Sequence, residues 1–310
     1  MEKFSSWRDK ATGVSPFIPV QFPLAQEHNI IQKVGSIIFK SISFIIKLPF
    51  FVILGLLYYL TSIKFTLEVI ILSLFGFNDT NISVDGVKRS NTEEIENYKP
   101  IVGDIIITNY LTPIDGLIYH LISNVNSWKS IKIFIPDFNT KKVYQYSVWT
   151  LIGFTFTSIH NESAIVKDFS SLDLSNSVNF FLLEGATSNN KALLPFINIP
   201  EVSSLLKKSK VKSVVIKLQP ASYTLPIPGI YSKFYYLFEL LSNLSRSGNI
   251  KVKIYKFDTF DEGKIRASFQ LNNLPLISNN LNVEEKKKFI DYYLNYNLVS
   301  GNNNNKKKSS

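Results

Sequence analysis

Residues 35 to 77 constrain this chain more than any other stretch, because they are too apolar to be left in water. From Gly35 onward only Lys40, Lys47, Lys64 and Glu68 interrupt the run, and the longest uncharged window is Leu48 to Ile63. A helix that crosses a bilayer needs about 20 apolar residues, so this window spans only if the flanking lysines reach out to the interface. The second apolar piece, Val69 to Phe77, is shorter still. Positive residues stand on both sides, Lys33 and Lys40 before and Lys88 and Arg89 after. Equal positive flanks suit a hairpin with both ends on the cytosolic side. The region reads as a monotopic two-helix membrane anchor, with a single spanning helix and a buried soluble hairpin as the alternatives. Residues 1 to 34 form a basic, proline-containing arm with no cleavable-signal pattern, expected on the cytosolic side.

Composition narrows the partners. The chain has 310 residues, enough for one large domain with appendages. Lys and Arg outnumber Asp and Glu by 34 to 24, a formal charge of +10, so an anionic partner is expected. A hydrophobic fraction of 45%, an aromatic fraction of 14% and a mean hydropathy of +0.08 turn that expectation toward lipid. No basic strand interleaved with aromatics and no finger motif supports nucleic acid. There is no cysteine, which excludes disulfides and thiolate chemistry, and His28, His120 and His160 lack metal-ligand spacing, so neither a metal nor a bound cofactor is expected.

Beyond residue 77 short apolar runs alternate with helical or polar segments, which predicts an α/β domain over residues 78–300: a mixed sheet flanked by helices. Expected strands are Asp104 to Thr108, Ile131 to Ile135, Val178 to Leu183, Val211 to Leu218 and Lys251 to Phe257. Expected helices are Pro113 to Ile122, Glu201 to Ser209, Tyr231 to Arg246 and Val283 to Asn297. Residues 301–310, rich in asparagine and lysine, read as a disordered basic tail.

Two stretches could carry chemistry. In FFLLEGATSNNKALLPF (180–196) a buried strand ends at Glu184 and Gly185 and runs into Thr187, Ser188 and Lys191. Ligands of open α/β sheets bind outside the carboxyl ends of strands, so this is a candidate anion or hydroxyl site; the alternative is a surface turn. In IIITNYLTPIDGLIYH (105–120) an apolar strand ends at Asn109, just before Tyr110, and a helix starts a few residues on. Thr112 reads as its N-cap, Pro113 as its first residue and Asp115 as a carboxylate that reaches back to free backbone amides. Asp115 is therefore either a cap or an acid that orients a base or a substrate hydroxyl. On that helix His120 lies about 140° round from Asp115, whereas Tyr119 is its cofacial neighbour.

These stretches together resemble the lysophospholipid acyltransferase family. The family's His-x4-Asp motif, preceded by Asn at a strand end, is matched by Asn109, Tyr110 and Asp115, with tyrosine where the family has its general-base histidine. Its Pro-Glu-Gly-Thr motif is matched by Leu183, Glu184, Gly185 and Ala186. The N-terminal block MEKFSSWRDKATGVSPF and the apolar hairpin are similar to the fungal lipid-droplet branch of the family. The resemblance implies an acyltransferase-like fold and direct acyl transfer from acyl-CoA, oleoyl-CoA in that branch, to lysophosphatidic acid. It makes Asp115 and Tyr110 the candidate catalytic residues. Asn109, Glu184, Gly185, Thr187, Ser188 and Lys191 are the candidate substrate-binding residues, with Lys191 replacing a phosphate-binding arginine the chain lacks. It also implies the endoplasmic reticulum membrane and the lipid-droplet monolayer as the location, with the domain facing the cytosol.

Overall fold

A computed structural model describes residues 2–22, 30–168, 172–243 and 248–308. The α/β expectation is met by a seven-stranded mixed sheet. Its strands are β1 (Phe77–Val84), β2 (Ile105–Thr108), β3 (Ile131–Pro136), β4 (Val143–Tyr146), β5 (Val178–Phe181), β6 (Val211–Gln219) and β7 (Gly248–Phe257), in the order β1-β7-β6-β2-β5-β3-β4. The centre, β6-β2-β5-β3, is parallel; β4 and β7 each run antiparallel to their inner neighbours, and β1 adds parallel to β7. The central strands are rich in Ile, Val and Phe on both sides because helices cover both faces, as parallel sheets require.

The first face is covered by α1 (Ile30–Thr61), α2 (Lys64–Glu68), α4 (Asp115–Ile122), α5 (Val148–Thr157) and α7 (Lys233–Leu241), and the second by α6 (Pro200–Lys207) and α8 (Glu262–Leu271). α3 (Thr92–Tyr98) links β1 to β2, and α9 (Val283–Lys308) packs with the N-terminal arm: Phe289 touches Phe4, Trp7 and Phe17. The tail expected to be disordered continues α9 as far as Lys308. His28 and Arg246 lie outside the described residues.

β1 and β4 escape sequence reading because they are edge strands, one polar (FNDTNISV) and one only four residues long. α5 escapes because VWTLIGFTFT is rich in β-branched and aromatic residues; a capping box between Ser147 and Thr150 starts it nonetheless. The predicted start of α4 is corrected. The helix begins at Asp115, not Pro113; the Thr112 hydroxyl makes no capping bond and donates to the Tyr236 hydroxyl at 2.6 Å, whose own proton goes to the Tyr223 carbonyl.

The apolar segment expected to anchor the chain is one 32-residue helix followed by a short second helix that turns back into the domain. α1 is long and apolar enough to cross a membrane, at about 48 Å, and only 11% of its most apolar window is buried. Lys40 and Lys47 lie within it, and the domain takes their charge. Lys40 pairs with Glu239 of α7 at 2.7 Å, and the Lys47 ammonium donates to the carbonyls of Leu74 and Asn243. The second apolar piece is core: Leu67, Ile70, Ile71 and Leu74 are all buried.

Candidate active site

Parallel pairing of β2 with β5 aligns Ile107 with Phe181, so three residues further along Tyr110 arrives beside Glu184. The Tyr110 amide donates to Glu184 Oε1 at 2.9 Å and the Leu194 amide donates to Oε2 at 2.7 Å. Glu184 thus bolts its own loop to the end of β2. It is fully buried, and burial pushes its carboxyl up to about 8 against those two amides and the field of Lys286.

Asp115 reaches back as the sequence predicts. Its Oδ2 accepts from the amides of Leu111 at 2.7 Å and Thr112 at 3.1 Å, while Oδ1 is buried without a partner. Burial raises this carboxyl to about 7, opposed by the same two amides. A carboxylate that titrates near neutral pH and keeps one free oxygen can accept a proton from a ligand hydroxyl. Tyr110 is in the opposite condition. Thr155 donates its hydroxyl to the Leu151 carbonyl at 2.8 Å, so the Tyr110 hydroxyl is the donor in its 2.6 Å contact with Thr155 Oγ1. Burial drives the phenol well above its ordinary value, and it stays protonated. Its ring stacks on Phe154.

The other candidates divide into those that hold the backbone and one that does not. Asn109 staples β2 to β6 through both amide atoms, donating to the Ile216 carbonyl at 2.8 Å and accepting from its amide at 2.9 Å. Gly185 has φ +68°, and a Cβ there would lie 2.3 Å from Ile197 Cδ1 and 2.8 Å from the Pro136 carbonyl oxygen, so only glycine fits. Thr187 donates its hydroxyl to the Leu225 carbonyl at 2.6 Å. The Ser188 amide donates to the Tyr110 carbonyl at 3.0 Å, leaving its buried hydroxyl without a partner. Lys191 is exposed, outside this buried cluster.

Lys286 was not foreseen. It sits in the charged run EEKKK at the start of α9, which reads as a solvated helix face, yet it is buried and donates to the Thr187 carbonyl at 2.7 Å and Thr187 Oγ1 at 3.1 Å. Burial lowers its ammonium to about 7, against the pull of Glu184. Nothing local in the sequence marks it, because its partner is 99 residues away. His120, as the helical geometry predicts, points away from Asp115: its Nδ1 meets the Tyr58 hydroxyl of α1 at 2.7 Å. His160 pairs with the Tyr146 hydroxyl and stacks on Tyr144.

Beside this cluster, between α1 and the first face, lies an almost wholly apolar cavity of about 420 Å³. Phe51, Tyr58, Leu117 and Phe156 line it, Pro113 and Ile114 bring the turn before α4 to its wall, and Tyr236 joins it to the Thr112 hydroxyl. Its size is that of a small-molecule pocket, and its surface suits a hydrocarbon chain.

The architecture defines an α/β protein with a docked apolar helix and two buried carboxylates at adjacent strand ends. The chain is similar to Lysophosphatidic acid:oleoyl-CoA acyltransferase 1 of Saccharomyces cerevisiae, 26% identical over 95% of this chain and 97% of that protein. It is also similar to the Putative lysophosphatidic acid:oleoyl-CoA acyltransferase of Schizosaccharomyces pombe, 24% identical over 75% of this chain and 78% of that one. The resemblance read from the motif residues is borne out by these names. No family profile matches the chain, and no solved structure matches it.

Proposed function

We infer that the protein transfers an acyl chain from acyl-CoA to the free hydroxyl of lysophosphatidic acid, forming phosphatidic acid as a 1-acylglycerol-3-phosphate O-acyltransferase. The similarity over nearly the whole chain to a yeast protein named for that activity carries the reading. The apolar cavity beside Pro113 and Ile114 supports it as the place for the acyl chain. The acceptor oxygen attacks the thioester carbonyl, its proton passes to Asp115 Oδ1, and the C–S bond breaks. The thiolate of CoA leaves with that proton, and no covalent enzyme intermediate forms. Tyr110 positions, through its amide on Glu184 and its stacked ring, and does not act as the base. Asn109, Glu184, Gly185 and Thr187 hold the floor of the site, and Ser188 and Lys191 take the acceptor phosphate. Aligning the two substrates contributes about 7–11 kcal/mol in favourable cases, and a general base a further 10²–10⁴-fold. With the exposed face of α1 in lipid, the protein works at the endoplasmic reticulum membrane and the lipid-droplet monolayer, its domain on the cytosolic side, in phospholipid and triacylglycerol synthesis.

One observation favours a second reading, a lipid-binding relative without turnover: Tyr110, Asp115 and Glu184 are all closed off from solvent. Acylation of lysophosphatidic acid by the detergent-solubilised chain separates the two. The expected outcome is turnover that falls about 10²–10⁴-fold in Asp115→Asn with lysophosphatidic acid still bound. Because an acting base must be ionised and Asp115 sits near 7, kcat/KM should rise with pH through about 7 in the parent and flatten in the variant. No turnover in the parent, with lysophosphatidic acid bound, would select the second reading.

A further inference from the structure

The two faces of the outer sheet differ in kind. Along β7 the even residues Ile250, Val252 and Ile254 enter the first-face core under α1, whereas Lys251 and Lys253 point to the second face. Register sets Lys251 between Asn81 of β1 and Lys217 of β6, and Lys253 between Ser83 and Val215. α8 covers this face only as far as Tyr255 and Ser213, which contact Asn272 and Ser268. The remainder is a groove of about 530 Å³ whose charged lining is Arg89, Lys217, Lys251 and Lys253, with no carboxylate among the lining residues. Asp85, 3.6 Å from Lys253, is the acid paired there, and it is largely exposed. Lys217 is fixed by donating to the carbonyls of Asn272 and Asn273. Its ammonium is lowered by burial and then by the repulsion of Lys251. Two like charges are thus held close on a half-covered sheet, a cost that an anion would relieve.

We propose that this groove binds a soluble, phosphate-bearing anion of the polyphosphate or nucleotide type. Four cations spread along one concavity match several phosphate charges, and Gln219 and Asn273 in its lining add side-chain amides that can donate hydrogen bonds to phosphate oxygens. The source is soluble and not a lipid headgroup because α1 and its exposed apolar residues lie on the opposite face of the same strands. A membrane that takes α1 leaves the groove facing water. This binding is independent of the acyl-transfer reading.

The test is calorimetric titration of the full chain in a non-ionic detergent with pyrophosphate, ATP and inorganic phosphate at physiological salt. Arg89→Glu/Lys251→Glu, both surface changes, provides the control. Saturable pyrophosphate or ATP binding that weakens at least tenfold in the double variant, with unchanged partition onto vesicles of phosphatidylcholine and phosphatidic acid, supports the proposal. No saturable binding, equal binding by the variant, or loss of vesicle partition with pyrophosphate binding intact would overturn it. The same double variant should keep its acyltransferase activity, and a loss of activity together with pyrophosphate binding would make the groove part of the substrate site and overturn its independence.

Discussion

The loop from Leu183 to Phe196 and the helix α1 both border the candidate site, but they are attached in different ways. The loop is tied through side chain and backbone at nearly every position. Glu184 holds Tyr110 and Leu194, Thr187 holds Leu225, Asn189 holds the carbonyls of Ser15 and Ile18, Asn190 holds Leu218, and Lys286 closes it from below. α1 is tied by a few polar anchors on one face, chiefly Lys40, Lys47 and Tyr58, while Ile45, Ile53, Leu60 and their neighbours stand exposed on the other. Polar networks in a dry interior fix one geometry, whereas apolar contact across a cavity tolerates repacking. The chemistry would then sit on the rigid side and the hydrocarbon on the adaptable one.

The contrast can be broken from the helix side by Lys40→Met. Glu239, whose side chain is 2% exposed, would be left as a buried charge without its cation. The expected loss is about 3–5 kcal/mol in denaturant unfolding of the detergent-solubilised chain, recovered in part by adding Glu239→Gln. An unchanged midpoint would mean that α1 is not held by this pair. From the loop side, Gly185→Ala should cost about 2–5 kcal/mol, the sum of a left-handed backbone and the overlap with Ile197 and Pro136. A smaller change, Lys286→Met, removes two hydrogen bonds from Thr187 and should cost about 1–3 kcal/mol. Its mark should be local: faster amide exchange at Thr187 to Asn190, with α9 still docked through Phe289. Uniformly faster exchange over α9 would show that Lys286 holds the helix and not the loop.

Much of the architecture is legible in the chain. The five inner strands announce themselves as short runs rich in Ile, Val and Phe; the reach of Asp115 to free amides follows from its place three residues after Thr112, and the turning of His120 away from it from helical periodicity. What is not legible depends on distant partners. Tyr110 reads as a candidate catalytic residue by its place in the motif, and only the Thr155 hydroxyl, spent on Leu151, makes its phenol a donor; Thr187 reads as a substrate-binding hydroxyl until Leu225 and Lys286 occupy it. Lys191, the lysine its neighbours in sequence put on this loop, stands exposed at its surface, and a second lysine, Lys286 from a charged run at the far end of the chain, is buried beneath it.

By itself the sequence determined the α/β class, the apolar N-terminal segment and the two strand ends at which the polar residues gather, because hydrophobic period and turn chemistry act over a few residues. Only the tertiary structure decided which of those polar atoms remain free, that α1 runs unbroken through its lysines, and that one half of the sheet carries a bare cationic face. Hydrogen-bond capacity and charge neutralisation are settled by partners tens to hundreds of residues away, and no local pattern encodes them.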